Sequence, residues 1–284
     1  LKVQPSDHLF ADLGLDSLDT IGLQAFLESS YGFQLPLDTL NGFDTVGDLA
    51  AWVTGQKTRV SVEMMDWARI LAQKIKNTLP KSWPAAPLVS SFLRPFMKYY
   101  FRFSTRGLSN IPEGPCIIVP NHQSFFDGFF IASALRIRQL QKTFFYAKAK
   151  HIKGGFFQRL AARNNIIVLD INHNLKESIL HIAEVLKTQR KLIIFPEGTR
   201  TKDGKLGDFK KMFAILASEL NVPVVPVSIR GAWEALPRGS KFPRPFKSIR
   251  LDFMPAIRAG NLSYDALTDL GKSTIQRKMG PARA

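Results

Sequence analysis

The spacing of apolar residues changes several times along the chain, and each change marks a different kind of element. Leu18, Ile21, Leu23, Phe26 and Leu27 recur at helical spacing. They follow a turn marked by Gly14 and Asp16, and Ser17 stands where a helix N-cap belongs. A second short helix is predicted over about 45–53, after the turn at Asn41-Gly42. Further on, Val60, Met64, Trp67, Ile70, Leu71, Ile75 and Leu79 share one face of a possible helix, with Arg69, Lys74 and Lys76 elsewhere. Pro80, Pro84 and Pro87 are expected to break the chain there. A run from Phe92 to Phe103 then mixes aromatic residues with Arg94, Lys98 and Arg102. Beyond residue 110 short apolar runs, read as strands over 116–119, 143–147, 166–169, 192–195 and 224–229, alternate with helical patterns over 125–135, 175–189 and 209–220. Strand–helix alternation predicts an α/β domain with a mostly parallel sheet flanked by helices, and function in such sheets gathers at the carboxyl ends of strands.

Composition narrows the classes. The chain has 284 residues, 45% hydrophobic and 22% charged, enough to bury a real core. One cysteine, Cys116, excludes an intrachain disulfide and a cysteine-based zinc cluster; buried in a predicted strand, it reads as a small core residue. No apolar run approaches the ~18 residues of a membrane-spanning helix, and no metal site is expected. Charge is segregated. Residues 1–56 hold one basic and eight acidic residues, net −7, while the other 228 hold 38 basic and 15 acidic, net +23. Two domains with different partners follow most simply: 1–56, an acidic helical domain; 57–87, an amphipathic and Pro-rich linker; and 88–284, the basic α/β domain. A nucleic-acid binder is disfavoured, because the basic residues are scattered and no zinc-finger, RNP-like or Gly-rich phosphate signature accompanies them. The aromatic and basic segments of 57–103 admit two readings, helices packed on their own domain or a pair lying on an anionic membrane.

The stretch Asp12-Leu13-Gly14-Leu15-Asp16-Ser17-Leu18-Asp19 resembles the attachment site of acyl carrier proteins, in which the serine after the aspartate carries 4′-phosphopantetheine. The resemblance assigns that cofactor to Ser17, against the alternative of a plain helix cap. Residues Tyr31-Gly32 to Leu49-Ala50 resemble the later helices of a carrier. There is no room before Leu1 for a carrier's first helix, so the domain is expected to be incomplete at its N-terminus, with an upstream portion such as an acyl-activating domain in a longer chain.

Two clusters end predicted strands 75 residues apart. In Asn121-His122-Gln123-Ser124-Phe125-Phe126-Asp127 a carboxylate can fold back to hold the imidazole in one tautomer and to stabilise its protonated form. Phe195-Pro196-Glu197-Gly198-Thr199-Arg200 is a turn-forming polar cluster with a fork-shaped cation suited to phosphate or carboxylate. Val222-Pro223-Val224-Val225-Pro226-Val227 follows. Together these resemble three of the four sequence blocks of the phospholipid/glycerol acyltransferase family, over roughly 90–260. The resemblance implies that His122 is a general base, that Asp127 orients it, that Glu197, Gly198, Thr199 and Arg200 hold the acceptor, and that Pro226 belongs to the last block.

The remaining block departs from the family's Gly-x-x-Phe-x-x-Arg. The aligned stretch runs from Asn164 to Asp170, with Asp170 at the arginine position and Arg159 and Arg163 out of register. This disfavours a free phosphate monoester as acceptor. The family resemblance implies thioester acyl transfer, from acyl carrier protein or acyl-CoA, to the hydroxyl of a lysolipid or glycerol-phosphate-type acceptor. The expected location is the cytoplasm, peripheral on the inner face of the cell membrane. The competing reading is a non-catalytic lipid-docking scaffold with a carrier domain. His8, His151, His173 and His181 stand at no informative spacing and read as structural or solvated.

Overall fold

A computed structural model describes residues 3–15, 17–31, 37–55, 86–148, 165–169, 175–237, 239–240 and 242–280, with single positions at 35, 67, 71, 79, 155 and 159. Asp16, Arg163, Asp170, His151, His173 and most of the stretch 57–87 lie outside the described residues. Two compact units are present: Leu1–Lys74 with Leu169–Leu180, and Ile75–Val168 with His181–Ala284.

In the first unit helices α1 (Ser17–Tyr31), α2 (Leu37–Leu40) and α3 (Val46–Gly55) enclose a small core of Leu9, Leu27, Leu35, Leu40, Leu49 and Val53. Its entry loop is tied to the start of α3 by the bridge between His8 and Thr45, where the Leu9 N–H donates to the Asp44 carbonyl at 2.9 Å and the Val46 N–H to the Asp7 carbonyl at 3.0 Å, and there the Thr45 hydroxyl donates to Asp48 at 2.7 Å. That capping pair starts α3 one residue after Thr45. His8 lies near Asp44, Nε2 to Oδ1 3.7 Å, on the surface, as expected of a solvated side chain.

The second unit is built on seven strands, β1 (Ser104–Arg106), β2 (Cys116–Pro120), β3 (Thr143–Lys148), β4 (Ile166–Leu169), β5 (Lys191–Ile193), β6 (Val224–Arg230) and β7 (Arg250–Phe253). They lie in the order β1-β7-β6-β2-β5-β3-β4. Strand β1 pairs with β7, β2 with β5 and β6, and β3 with β5 in parallel, whereas β6 and β7 run antiparallel. The five strands expected from the apolar runs are all present, within two residues of the expected limits. Two were not anticipated: β1 and β7 are short, and β1 holds the polar run Ser-Thr-Arg, so neither carries a continuous apolar signal.

Helices cover both faces. On one, α4 (Ala86–Tyr100) and α5 (Asp127–Ala134) pack Met97, Phe130 and Ile131 on Ile118, Val227 and Leu251. On the other, α8 (Met212–Glu219) and α10 (Tyr264–Met279) meet at Gly271, where any side chain would press on the Phe213 ring. Shorter helices α6 (Ile137–Gln141) and α9 (Ala232–Ala235) and the longer α7 (Leu175–Lys187) connect the strands. Pro87 does not break the chain. It falls in the first turn of α4, where its missing N–H removes no helical bond. Gly231 turns the chain sharply after β6: at φ 82° its hydrogen faces the Ser248 carbonyl, with no room for a Cβ.

Cys116 is fully buried in β2, and burial pushes its thiol up to about 12. Thiolate, the reactive form, is therefore scarce at neutral pH. We expect the folded protein to resist maleimide labelling at pH 8 and to take up one equivalent when unfolded in guanidinium. Labelling of the folded chain at the unfolded rate would contradict this packing.

Candidate active site

The register of the central strands places the two polar clusters together. Cys116 pairs with Lys191, Ile117 with Leu192 and Ile118 with Ile193, a constant offset between β2 and β5. Carried four residues past the end of the pairing, the same offset sets His122 opposite Glu197. The His122 N–H donates to Glu197 Oε1 at 2.7 Å across those 75 residues. The Thr201 N–H returns a bond to the His122 carbonyl at 2.9 Å. On the far side of β2, the buried Asn121 amide clamps β6: its Nδ2 donates to the Ile229 carbonyl at 3.0 Å and its Oδ1 accepts the Ile229 N–H at 2.6 Å. Carboxyl ends of three neighbouring parallel strands thus converge, as such sheets require of a site.

Asp127 opens α5 and is fully buried. Its Oδ2 accepts three hydrogen bonds, from His122 Nδ1 at 2.9 Å, Gln123 N–H at 2.6 Å and Ser124 N–H at 2.8 Å. The spacing from His122 is therefore bridged by a capping turn ahead of the helix rather than across a helical turn. Burial raises the Asp127 carboxyl above the ordinary range, while the imidazole and the two N–H groups pull it back. A carboxylate on Nδ1 leaves Nε2 as the nitrogen able to exchange a proton. The imidazole lies against the Phe195 ring, centroids 4.3 Å apart, and its side chain is 22% exposed. It is braced on one edge, stacked on one face and still open to solvent.

Both oxygens of the Glu197 carboxylate accept backbone N–H groups. Oε1 takes the His122 N–H and Oε2 takes the Gly207 N–H at 2.8 Å, so the carboxylate joins the motif turn to two loops. Burial raises its carboxyl, against the pull of those N–H donors. Gly198 turns the chain at φ 66°, and a Cβ there would lie close against the Lys210 side chain. Thr199 is exposed, and Arg200, half-buried, lies over the Phe125 ring at 5.9 Å. Pro226 sits inside β6 opposite Val119, buried in the sheet. Arg159 is exposed. Sequence reasoning missed the structural duties of Asn121 and Phe195, although both lie within the quoted clusters. A buried amide matching one backbone N–H and one C=O has no one-dimensional signature. Among the described residues no group of His, Cys, Asp and Glu could hold a metal ion.

Ser17 is the first residue of α1. Ahead of it Gly14 takes φ 65°, and a Cβ there would meet nothing within 4 Å.

Comparison with known proteins agrees with both constellations. Residues 102–230 match the family model described as acyltransferase, and residues 1–53 the phosphopantetheine attachment site. Residues 102–230 thus resemble an acyltransferase domain and residues 1–53 a phosphopantetheine-bearing one. Among the chain's relatives, a 1-acyl-sn-glycerol-3-phosphate acyltransferase of Pseudomonas aeruginosa is 30% identical over 178 residues, 60% of this chain and 65% of that protein. A chloroplastic 1-acyl-sn-glycerol-3-phosphate acyltransferase of Brassica napus is 30% identical over 151 residues, 50% of this chain and 41% of its own length. The chain thus spans less than two thirds of these relatives. The crystal structure of the 1-acyl-sn-glycerophosphate acyltransferase PlsC from Thermotoga maritima superposes with a TM-score of 0.56 at 26% identity, covering 76% of this chain and 87% of that one. Its fold is the one described above.

The double role of Glu197 yields a prediction. A glutamine can accept one of the two N–H groups but turns its own N–H₂ toward the other. Glu197→Gln should lower unfolding stability by about 1–3 kcal/mol, read as a drop in Tm of roughly 2–4 °C for each kcal/mol. An unchanged Tm would show that the two loops do not depend on this carboxylate.

Proposed function

We propose that this protein is an O-acyltransferase that moves a fatty acyl group from a thioester to the hydroxyl of a lysolipid, acting at a membrane surface in lipid synthesis or remodelling. The observation that carries this reading is the His122–Asp127 pair, Nδ1 to Oδ2 2.9 Å, with the His122 backbone fixed by Glu197. In the proposed step His122 Nε2 takes the proton of the acceptor hydroxyl as its oxygen bonds to the acyl carbon. The C–S bond then breaks, and the departing sulfur takes the proton from the imidazolium. Asp127 keeps Nδ1 protonated and offsets the charge that forms on the ring.

The relatives' names point to a 1-acyl-sn-glycerol-3-phosphate as acceptor. Arg200, and the turn from Glu197 to Thr199 that carries it, is our candidate for holding that end of the molecule. The family arginine is replaced by Asp170, so a lysolipid with another head group is the acceptor to set beside it. As donor we favour an acyl group on a carrier domain over acyl-CoA, because this chain matches a phosphopantetheine attachment site in its own first 53 residues. On Ser17 that cofactor would supply a thiol to carry the acyl chain as a thioester. Tethering on one chain raises the local donor concentration toward mM for a short flexible linker, and the −7 and +23 halves attract one another at low salt. The same charge and the aromatic residues exposed on α4 favour the inner face of a cell membrane. Among the described residues no helix is long and apolar enough to cross it.

The deciding assay compares wild type with His122→Ala, using acyl carrier and acyl-CoA donors over a panel of lysolipids. General-base loss should cost roughly 10² to 10⁴ in rate; equal product from both proteins would overturn the assignment. For Ser17, incubation with a phosphopantetheinyl transferase should add the mass of one arm to wild type and none to Ser17→Ala. A wild type that stays unmodified would remove the carrier reading while leaving the transfer assay intact.

A further inference from the structure

Two segments of the sheet unit contain no acidic residue. Residues 86–103 carry Arg94, Lys98 and Arg102, and residues 236–251 carry Arg238, Lys241, Arg244, Lys247 and Arg250. Far apart in sequence, they are stitched together in the fold. The Tyr100 hydroxyl donates to the Pro243 carbonyl at 3.0 Å, and the Phe246 N–H donates to the Tyr100 carbonyl at 2.6 Å. The Arg244 N–H, on the other side of the loop, donates to the Ala235 carbonyl at 2.8 Å.

A loop pinned this way should tuck its phenylalanines inward if burial were available. Instead Phe242 is 82% exposed and Phe246 65% exposed, and α4 leaves Phe92 78% and Tyr99 75% exposed. Phe246 is held at φ 60°, a left-handed backbone that is strained for a bulky side chain. Exposed aromatic groups held outward by a fixed backbone mark a surface made for contact. The charge around them selects the partner. Aromatic rings sit well at the headgroup level of a bilayer, and lysine and arginine beside them are drawn to anionic lipid phosphates.

We propose that the loop 242–247, with the exposed side of α4, is a docking element that seats the sheet unit on an anionic lipid bilayer. This deepens the membrane-surface reading above, on which its purpose rests, by naming a contact beyond the 57–103 region. Its test does not need catalysis. The 284-residue chain is sedimented with vesicles of phosphatidylglycerol and phosphatidylethanolamine, and in parallel with phosphatidylcholine vesicles. Wild type should pellet with the anionic vesicles and far less with the zwitterionic ones. Phe242→Ala/Phe246→Ala should weaken that partitioning at least about tenfold, and Lys247→Glu by about fivefold. Acyl transfer measured without vesicles, with short-chain soluble substrates, should be unchanged in both. A double variant that pellets like wild type overturns the proposal, as does one that loses the vesicle-free reaction. Light scattering adds a further check: wild-type dimers that the double variant abolishes would assign the surface to a second copy of the chain and overturn the lipid assignment.

Discussion

A backbone N–H meeting a buried carboxylate, His122 to Glu197, is the joint on which the site depends. The imidazole can be aimed only if the turn that carries it is fixed, and that turn lies beyond the last hydrogen bond of its strand. Glu197 supplies the missing acceptor from the neighbouring strand's turn, and its other oxygen binds Gly207 and so holds the following loop as well. A buried N–H left without a partner costs about as much as a lost hydrogen bond. Each loop is therefore unable to move without stranding a group on the other.

Asp127 adds the second constraint. One oxygen serves three donors, two from the backbone of the capping turn and one from the ring. The start of α5 and the orientation of His122 are thus a single structural event. Its other oxygen, Oδ1, is buried with no hydrogen-bond partner among the described residues. That concentration of acceptance on Oδ2 keeps the ring edge fixed, and Phe195 on the ring face limits what rotation is left.

The register between β2 and β5 explains why two clusters so far apart in the chain can behave as one. Parallel strands keep a constant offset, so residues that follow them at equal distance arrive together. The register with β6 sets Asn121 opposite Ser228, and its side chain reaches the backbone of the next residue, Ile229. Strand-to-strand pairing, rather than any local preference, decides which polar residue faces which.

Much of this was legible before any coordinates. The alternation of apolar runs carried the α/β class, five of the strands and the helices between them, because burial on both faces of a parallel sheet leaves unbroken apolar stretches. The charge split separated an acidic segment from a basic one, and the clusters around Ser17, His122 and Glu197 carried the family resemblance. Other features were beyond reach. β1 is polar and β7 interleaves Arg250 and Asp252 with its apolar residues, so neither leaves an unbroken apolar run, and α10, whose apolar positions are sparse, went unread. The bonds Glu197 makes to the backbone of His122 and Gly207 were also beyond reach, because those loops meet it only after folding. The outward hold on Phe242 and Phe246 likewise arises from hydrogen bonds to Tyr100, over a hundred positions earlier. Local composition determines which residues are available for chemistry. Hydrogen bonds between distant segments decide what each of them is free to do.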